Sequence, residues 1–257
     1  MRLACSSQSY DDVLGAGRIT LVEWVRFCAE ELGLTAVELE DKHIGPPDQK
    51  RVDVLRSAAA RCNLTIVNIA LMNNFGVADD RRRGDEEART REWMDVGQRL
   101  GSRFLRTFAG WPEDDRAARW PAMIAALRSV CREAERRQVR LVMENHNHGG
   151  FVQTAADVAA IFDAVASPAL GLLLDTGNYL DGLASIALTA PRAWHVHAKF
   201  TRVDGDGRDP GIDHDAIMVL LREAAYTGWI SVEYEGAELS RTAVPRALQY
   251  LRQAVGV

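Results

Sequence analysis

VMENHNHGG, at residues 142–150, joins the end of an apolar run to a carboxylate, two amides, two imidazoles and two glycines. This pattern is typical of a buried strand whose last side chains enter a functional site, because the strand interior is apolar and only its end is polar. The pattern recurs downstream, where apolar runs at 172–174, 194–197 and 230–232 lead into DTGN, AK and EYEG. Four strands that each end beside a metal-competent side chain predict a shared site.

The composition is that of a globular protein with a large core. Of the 257 residues, 47% are hydrophobic and 26% are charged, and the formal net charge is −5. Domains that bind nucleic acid usually carry a basic excess, so this charge argues against a nucleic-acid partner. The 4 cysteines form no CxxC pair, which favours buried thiols in a reducing compartment. Without an apolar leader or a membrane-length run, we expect a cytoplasmic protein with no membrane partner.

Strands and amphipathic helices alternate along the whole chain. The predicted strands are 3–5, 36–40, 64–71, 103–108, 141–143, 172–174, 194–197 and 230–232. The predicted helices are 19–32, 48–62, about 81–100, 120–137, 154–166, 181–190, 213–225 and 242–254. No linker divides these units, so we expect one domain over residues 1–257, an α/β (β/α)₈ TIM barrel. A doubly wound open sheet is the alternative, but polar residues at the carboxyl ends of the strands favour the barrel.

Residues two apart on a strand face the same side, which pairs several polar side chains at these strand ends. The pairs are Glu144 with His146, His195 with His197, and Glu233 with Glu235, and Asp175 ends the intervening strand. Three carboxylates and one imidazole converging there would bind one divalent ion, with Mn²⁺ or Mg²⁺ preferred and Co²⁺ or Zn²⁺ tolerated. A single strand-end carboxylate is more commonly a helix cap, and His195 fits a core position equally well. The coincidence of four strand ends favours the metal site.

Several motifs resemble the sugar phosphate isomerase/epimerase family of xylose isomerase-like TIM barrels. They are ENH at 144–146, LDTGN at 174–178, HVHAK at 195–199, GID at 211–213, YTGWIS at 226–231 and SVEYEG at 231–236. The resemblance covers essentially the whole chain and implies that the metal ligands are Glu144, Asp175, His197 and Glu233. Family members often carry an aspartate after the lysine of the HVHAK stretch, where this chain has Phe200.

The resemblance also implies a chemistry. In the ketose epimerases of this family, two ligand glutamates on opposite faces of the substrate exchange a proton through an enediolate, a role that falls here to Glu144 and Glu233. A metal-bound carboxylate is a poor base because the cation lowers its pKa. His146 and His148 are therefore alternative bases, since a neutral imidazole suits proton abstraction near pH 7. Either histidine could instead support a ligand by hydrogen bonding.

The other candidates are predicted to contact the substrate or to support the site. Lys199 either binds a substrate oxygen or neutralises nearby carboxylates. The remaining candidates are His148, His195, Asn178, Glu38, Arg106 and Trp111. Among them, Asn178 suits hydrogen bonding to the site better than metal ligation, and Trp111 is equally explained by loop packing.

Three functions fit these residues. The leading one is a metal-dependent isomerase or epimerase of a keto-sugar, sugar acid or inositol derivative, acting on a small carbohydrate. The second is a metal-dependent lyase or dehydratase, for example β-elimination from a 3-keto glycoside. The third is an apurinic-site endonuclease, a hydrolase of the same fold. That family has further histidine ligands at places where this chain has Asn73 and Asn74, residues 106–109, and Asn178. The family resemblance makes a homodimer plausible.

Overall fold

The computed structural model describes residues 1–256 and shows a closed barrel of parallel strands in the order β1-β2-β3-β4-β5-β6-β7-β8. The strands are β1 Arg2–Ser6, β2 Ala36–Glu40, β3 Thr65–Ala70, β4 Phe104–Thr107, β5 Leu141–Glu144, β6 Leu170–Asp175, β7 Ala193–Phe200 and β8 Trp229–Tyr234. The helices are α1 Asp11–Leu14, α2 Leu21–Glu30, α3 Asp41–Ile44, α4 Gln49–Arg61, α5 Asp80–Leu100, α6 Arg116–Arg137, α7 Ala155–Val165, α8 Leu183–Thr189, α9 His214–Glu223 and α10 Ser240–Val255. The predicted (β/α)₈ barrel is confirmed.

Side-chain caps define where several helices begin. Thr154 accepts a hydrogen bond from the Asp157 backbone and the Asp157 carboxylate accepts one from the Thr154 backbone, which is the predicted capping box of α7. Helix α6 begins at Arg116, four residues before the predicted start, because Asp115 caps it through the Ala118 backbone. Its first turn is largely exposed and carries no apolar periodicity, so the sequence pattern gave no sign of it.

Strand β7 also extends beyond its predicted end. Lys199 and Phe200 pair with Glu233 and Tyr234 of β8, so they belong to the strand although Lys199 interrupts the apolar run. Pairing with a neighbouring strand supplies the backbone hydrogen bonds that no local pattern predicts. The extension places the Lys199 side chain at the carboxyl end of the barrel.

The barrel interior changes from apolar to polar along the strands. Near the strand starts, two small buried clusters fill the interior, separate from the main core between strands and helices. They contain Ala4, Ala36, Val67 and Trp229, and Phe104, Val142 and Leu173 with Trp194. Gly171 is required beside the second cluster, because a Cβ there would lie 2.0 Å from the Trp194 ring. Two residues further along six of these strands the side chain is polar instead: Ser6, Glu38, Arg106, Glu144, Asp175 and Ser231.

Two register shifts determine which polar side chains meet. Between β6 and β7 the register shifts after Leu172, so Asp175 lies opposite His197. Between β2 and β3 it shifts after Val37, so Glu38 lies opposite Asn68. A shift of one residue turns a strand's side chains to the other face, so both irregularities are essential to the site.

Among residues 1–256, no helix combines the length and the apolar character needed to cross a membrane.

His214, at the start of α9, gives the fold a predicted pH dependence. Its ring stacks on Phe200 with centroids 4.3 Å apart, and the side chain is 1% exposed. Burial lowers the pKa of His214 to about 4, so the folded state resists protonation more than the unfolded chain. The stabilisation is therefore fully present above about pH 6.5 and is lost as the pH falls towards 4, by about 3 kcal/mol in total.

We expect His214→Phe to remove this pH dependence, because phenylalanine keeps the stacking and carries no titratable group. Urea unfolding between pH 4 and 7.5 measures it, as the difference between the wild-type and variant free energies of unfolding. Parallel profiles would show that His214 does not cause the acid sensitivity.

Candidate metal centre

The four predicted ligands come together at the carboxyl end of the barrel. One atom from each lies within 4.8 Å of the other three, and the residues are Glu144, Asp175, His197 and Glu233. From His197 Nδ1, the nearest oxygens of Glu144, Asp175 and Glu233 are 3.9, 3.8 and 3.3 Å away. Ligands about 2.1 Å from a common cation are separated from each other by about 3–4 Å. The spacing fits a single ion.

The hydrogen bonding of these residues supports the same conclusion. Among residues 1–256, Asp175 Oδ2, His197 Nδ1, Glu233 Oε2 and Glu144 Oε2 are buried without a hydrogen-bond partner. The other Asp175 oxygen accepts from the Gly177 backbone at 2.7 Å, and Glu144 Oε1 accepts from Asn178 at 3.3 Å. The three carboxylate oxygens among them face only the side-chain cations of Lys199 and Arg106. Burying this many adjacent acceptors is costly unless further positive charge binds them. The donor set therefore fits a divalent metal ion.

The charges of the cluster are strongly coupled. Burial raises the pKa of Glu144 and raises that of Asp175 well above its ordinary value. Burial acts on Glu233 in the same direction, but the positive charges of His197 and Lys199 hold its pKa well below the ordinary range. The pKa of His197 is raised well above normal, since Glu233 and Glu38 outweigh its burial. Protein cations thus offset part of the negative charge in the cluster.

Lys199 is the principal cation beside the cluster. Its Nζ lies 2.5 Å from Glu233, 3.4 Å from Asp175 and 3.0 Å from Glu235. These contacts fit one of the two roles predicted for Lys199, the neutralisation of nearby carboxylates. The side chain also lines the cleft above the cluster, where it remains within reach of a substrate.

Glu38 and His195, predicted to contact the substrate or to support the site, lie in supporting positions. Both have no exposed surface and lie beneath the ligands, so they contact protein rather than substrate. His197 Nε2 lies 2.7 Å from Glu38 Oε1, while His195 Nε2 and Ser231 Oγ lie 2.7 and 3.1 Å from Oε2. A carboxylate only accepts hydrogen bonds, so Nε2 of each ring carries a proton. Glu38 therefore holds a proton on His197 Nε2, so that Nδ1 is the nitrogen that binds a cation when the cation displaces the Nδ1 proton.

Arg106 joins two carboxylates at the side of the cluster. Its guanidinium lies 3.0 Å from Glu144 Oε2 and 3.2 Å from Glu40 Oε2, and it packs over the Phe108 ring. The contact with Glu144 is electrostatic, because the N–H direction does not meet the oxygen. Burial raises the pKa of Glu40 to about 8, although Arg106 opposes the shift. The sequence analysis did not predict Glu40 as a site residue. The sign of it was that Glu40 lies two residues after Glu38 on β2 and therefore faces the same side.

The two histidines after β5 occupy different positions. His146 lines the cleft, and its ring packs edge-on against Phe108 and Trp111 at centroid distances of 5.5 and 5.1 Å. Burial lowers its pKa to about 4, so the ring is neutral near pH 7. His148 is exposed, and its backbone N–H donates to His146 Nδ1 at 3.4 Å. In a neutral ring whose Nδ1 accepts, Nε2 carries the proton.

Three further residues support the site. Asn178 donates to Glu144 and Trp111 packs on His146, so the structure places each behind a residue of the site. Asn145 was not predicted as a site residue. Its side chain accepts from the Asp175 backbone N–H at 2.8 Å and donates to the Asp175 carbonyl at 3.0 Å. It thereby fixes the end of β6 against the end of β5.

A cleft of about 1020 Å³ opens above the cluster. Glu144 and Glu233 line its floor, whereas Asp175 and His197 have no exposed surface. The two glutamates are therefore the ligands that a bound molecule can reach.

Comparison with known proteins identifies the family. A family model described as xylose isomerase-like TIM barrel matches residues 28–254. The chain belongs to this family. Most of the chain lies within the match, and the resemblance predicted from the strand-end motifs is confirmed. Xylose isomerase-like barrels place their sites at the carboxyl ends of the strands, as other TIM barrels do.

Relatives of this chain include enzymes that catalyse different reactions. The 3-oxo-isoapionate decarboxylase of Pectobacterium atrosepticum is 35% identical over 124 residues, which cover 44% of this chain and 42% of that protein. The inosose dehydratase of Bacillus thuringiensis is 26% identical over 144 residues, covering 45% and 47% respectively. In both cases the match spans less than half of the relative's length.

Among solved structures, a crystal structure of D-psicose 3-epimerase with D-fructose shares the fold. The TM-score is 0.81 at 18% identity, and the superposition covers 100% of both chains. At this level of identity the likeness concerns the fold alone.

Proposed function

We propose that this xylose isomerase-like barrel is a metal-dependent enzyme that removes a proton beside a carbonyl group of a keto-sugar, sugar acid or inositol derivative. An isomerase or epimerase is the leading form of this proposal. The observation that carries it is the convergence of four buried ligand residues, two of which, Glu144 and Glu233, line the floor of an open cleft. The carboxylate-rich donor set suits Mn²⁺ or Mg²⁺, with Co²⁺ or Zn²⁺ as alternatives.

The relatives support a small carbohydrate as the substrate. The decarboxylase, the dehydratase and the epimerase are named for an oxo-sugar acid, an inosose and a ketose, respectively. A carbanion next to a carbonyl is a step that decarboxylation, dehydration and epimerisation can share. The common requirement is stabilisation of developing negative charge.

A divalent cation in the cluster would polarise a substrate carbonyl and acidify the neighbouring C–H. Glu144 and Glu233 are the cleft-facing carboxylates that can accept the proton, and each lies beside a cation, Arg106 or Lys199. Those cations weaken the carboxylates as bases and stabilise the negative charge that develops nearby. If one glutamate removed the proton and the other returned a proton to the opposite face of the same carbon, that stereocentre would be inverted.

A lyase is the second candidate, and His146 favours it. Elimination needs a donor that protonates the departing group. His146 lines the cleft as a neutral ring, and the contact from the His148 backbone to Nδ1 leaves the proton on Nε2. This tautomer can donate a hydrogen bond from Nε2 to the departing oxygen, which stabilises the negative charge that develops there.

The residues give little support to an apurinic-site endonuclease. Asn73 occupies a position where that function would require a histidine, and its amide is engaged with Thr107 and Phe108. Asn178 is similarly bonded to Glu144. The net charge of −5 also opposes a polyanionic substrate.

Proton NMR in D₂O tests the proposal on protein loaded with Mn²⁺ or Mg²⁺; paramagnetic Mn²⁺ is removed before spectra are recorded. The probes are ketoses, inososes and 3-keto glycosides. Deuterium at a carbon beside the carbonyl, with an epimer or isomer, establishes the leading reaction. Exchange with release of water or an aglycone assigns a lyase. No exchange with any probe, while the cation is bound, overturns the proposal.

His146→Asn is expected to lower turnover by about 10²-fold or more, the usual range for loss of an acid–base group, while cation affinity is retained. His148→Asn is the comparison variant, because His148 is exposed, the backbone N–H that donates to His146 is kept, and only the ring 4.7 Å from the His146 ring is lost. Steady-state rates and calorimetric cation titrations of both variants provide the measurement. Loss of cation binding in His146→Asn would assign it a supporting role instead.

A further inference from the structure

The cleft extends well beyond the metal cluster. Its inner end is formed by Glu144, His146, Lys199 and Glu233, and its outer end by α3, the turn after it and one face of α5. The volume of about 1020 Å³ is at the upper limit of the range of about 300–1,000 Å³ that holds drug-sized ligands. A single monosaccharide over the cluster would leave the outer end unfilled.

The outer lobe, which we define by Pro46, Pro47, Met72, Glu86 and Arg89, has an apolar platform. Met72 is 52% exposed, although large apolar side chains of this barrel are mostly buried. The two prolines of the turn add rigid apolar surface. Ring-shaped ligands bind on such surfaces because apolar area is removed from water at little cost in side-chain entropy.

Contacts between separate elements hold the lobe in shape. Arg89 of α5 donates to the Met72 carbonyl and pairs with Asp41 of α3, so one guanidinium ties together three sides. Arg51 donates to the Ile44 carbonyl at 3.0 Å, and this bond fixes the turn before the prolines. A preformed pocket binds with a smaller ordering cost than a flexible one.

The charges of the lobe indicate which ligands fit. Carboxylates outnumber cations around it, with Asp41, Asp85, Glu86 and Glu92 opposed by Lys42 and Arg89. Lys42 is paired with Asp11 outside the lobe at 2.7 Å, which leaves an excess of negative charge. Glu86 lines the lobe, and its Oε2 has no hydrogen-bond partner among residues 1–256. A phosphate or carboxylate there would meet repulsion.

We infer that the substrate is a glycoside: a keto-sugar over the metal cluster that carries a neutral ring in the outer lobe. The position of the keto-sugar rests on the proposed function, and the position of the attached ring rests on the outer lobe. A second sugar and a phenyl group share this chemistry, since both are uncharged and present flat or ring-shaped apolar faces. Sugar phosphates fit less well.

The test compares four 3-keto probes by deuterium exchange: a phenyl glucoside, a disaccharide, free 3-keto-glucose and its 6-phosphate. We expect kcat/KM to be at least about tenfold higher for one of the two glycosides than for the free sugar, with the phosphate lowest. Preference between phenyl and sugar aglycones distinguishes the two sources. Equal values for glycoside and free sugar overturn the inference.

Ala88→Trp fills the lobe from an exposed position on α5, so it is compatible with folding. We expect it to reduce the glycoside-to-free-sugar ratio of kcat/KM by about tenfold. Ala125→Trp is the matched control, an exposed alanine on α6 away from the cleft. An unchanged ratio in Ala88→Trp contradicts the inference.

Calorimetry with unoxidised phenyl glucoside and glucose separates this inference from the proposed function, because it needs no reaction. The inference is supported if the glucoside binds more tightly than glucose and Ala88→Trp weakens that binding, even if no probe exchanges deuterium. Equal affinity for the two ligands, or no binding of either, overturns it.

Discussion

Glu233→Gln is expected to abolish turnover, with a loss of at least about 10²-fold in kcat, and to weaken cation binding. Glu233 is both a predicted ligand and a cleft-facing carboxylate, and its Oε2 lies 3.3 Å from His197 Nδ1. Glutamine keeps the shape but removes the charge that attracts a cation and the group that accepts a proton. It also leaves Lys199 without its nearest partner, 2.5 Å away.

Glu235→Gln provides the control for this variant. Glu235 lies two residues further along, also pairs with Lys199, and has a side chain that is 41% exposed. We expect Glu235→Gln to retain cation affinity, because its carboxylate is outside the ligand cluster. Calorimetric titration with Mn²⁺ and exchange rates in D₂O measure both effects. Full activity in Glu233→Gln would remove this residue from the site.

Glu38→Gln is expected to lower cation affinity by about 10–100-fold although Glu38 is not itself one of the four ligands. The Glu38 carboxylate accepts from both imidazoles at 2.7 Å, and this fixes the proton of His197 on Nε2. A glutamine amide presents one acceptor oxygen and one donor nitrogen, so it cannot accept from both rings. One imidazole would then shift its proton to Nδ1, and in His197 that proton competes with the cation.

Ser231→Ala tests whether any disturbance beneath the site has the same effect. It removes the 3.1 Å bond to Glu38 but leaves both imidazole contacts, so a smaller loss of affinity is expected. Cation titrations followed by calorimetry, with circular dichroism to verify folding, compare the variants. Wild-type affinity in a folded Glu38→Gln protein would show that another contact sets the His197 tautomer.

The sequence alone was sufficient for the fold and for the candidate ligands. Eight apolar runs separated by amphipathic helices can bury their surfaces only as a parallel sheet covered by helices. Because the strands are parallel, the residues that follow their apolar runs lie at the same end of the barrel. Asp175 and Glu233 could therefore be placed together before any contact between them was known.

Only the tertiary structure separated the ligands from their supporting residues. His195 and His197 have the same strand parity, and so do Glu38 and Glu40, so local pattern cannot assign their roles. The register shift after Leu172 sets His197 opposite Asp175 and leaves His195 one layer below, against Glu38. Height within the barrel depends on strand stagger, which is a property of all the strands together.

The sequence alone gave no indication of the outer lobe. Met72, Glu86 and Arg89 come from a strand end and a helix whose charge pattern predicts only a solvated surface. Arg89 contacts Asp41, 48 residues away in the chain, and thereby closes one side of the cleft. The periodicity of apolar residues predicts which face of each helix or strand is buried, because that pattern depends only on residues close together in the sequence. Which side chains meet across the barrel mouth is decided by the packing of separate elements, so only the folded structure determines it.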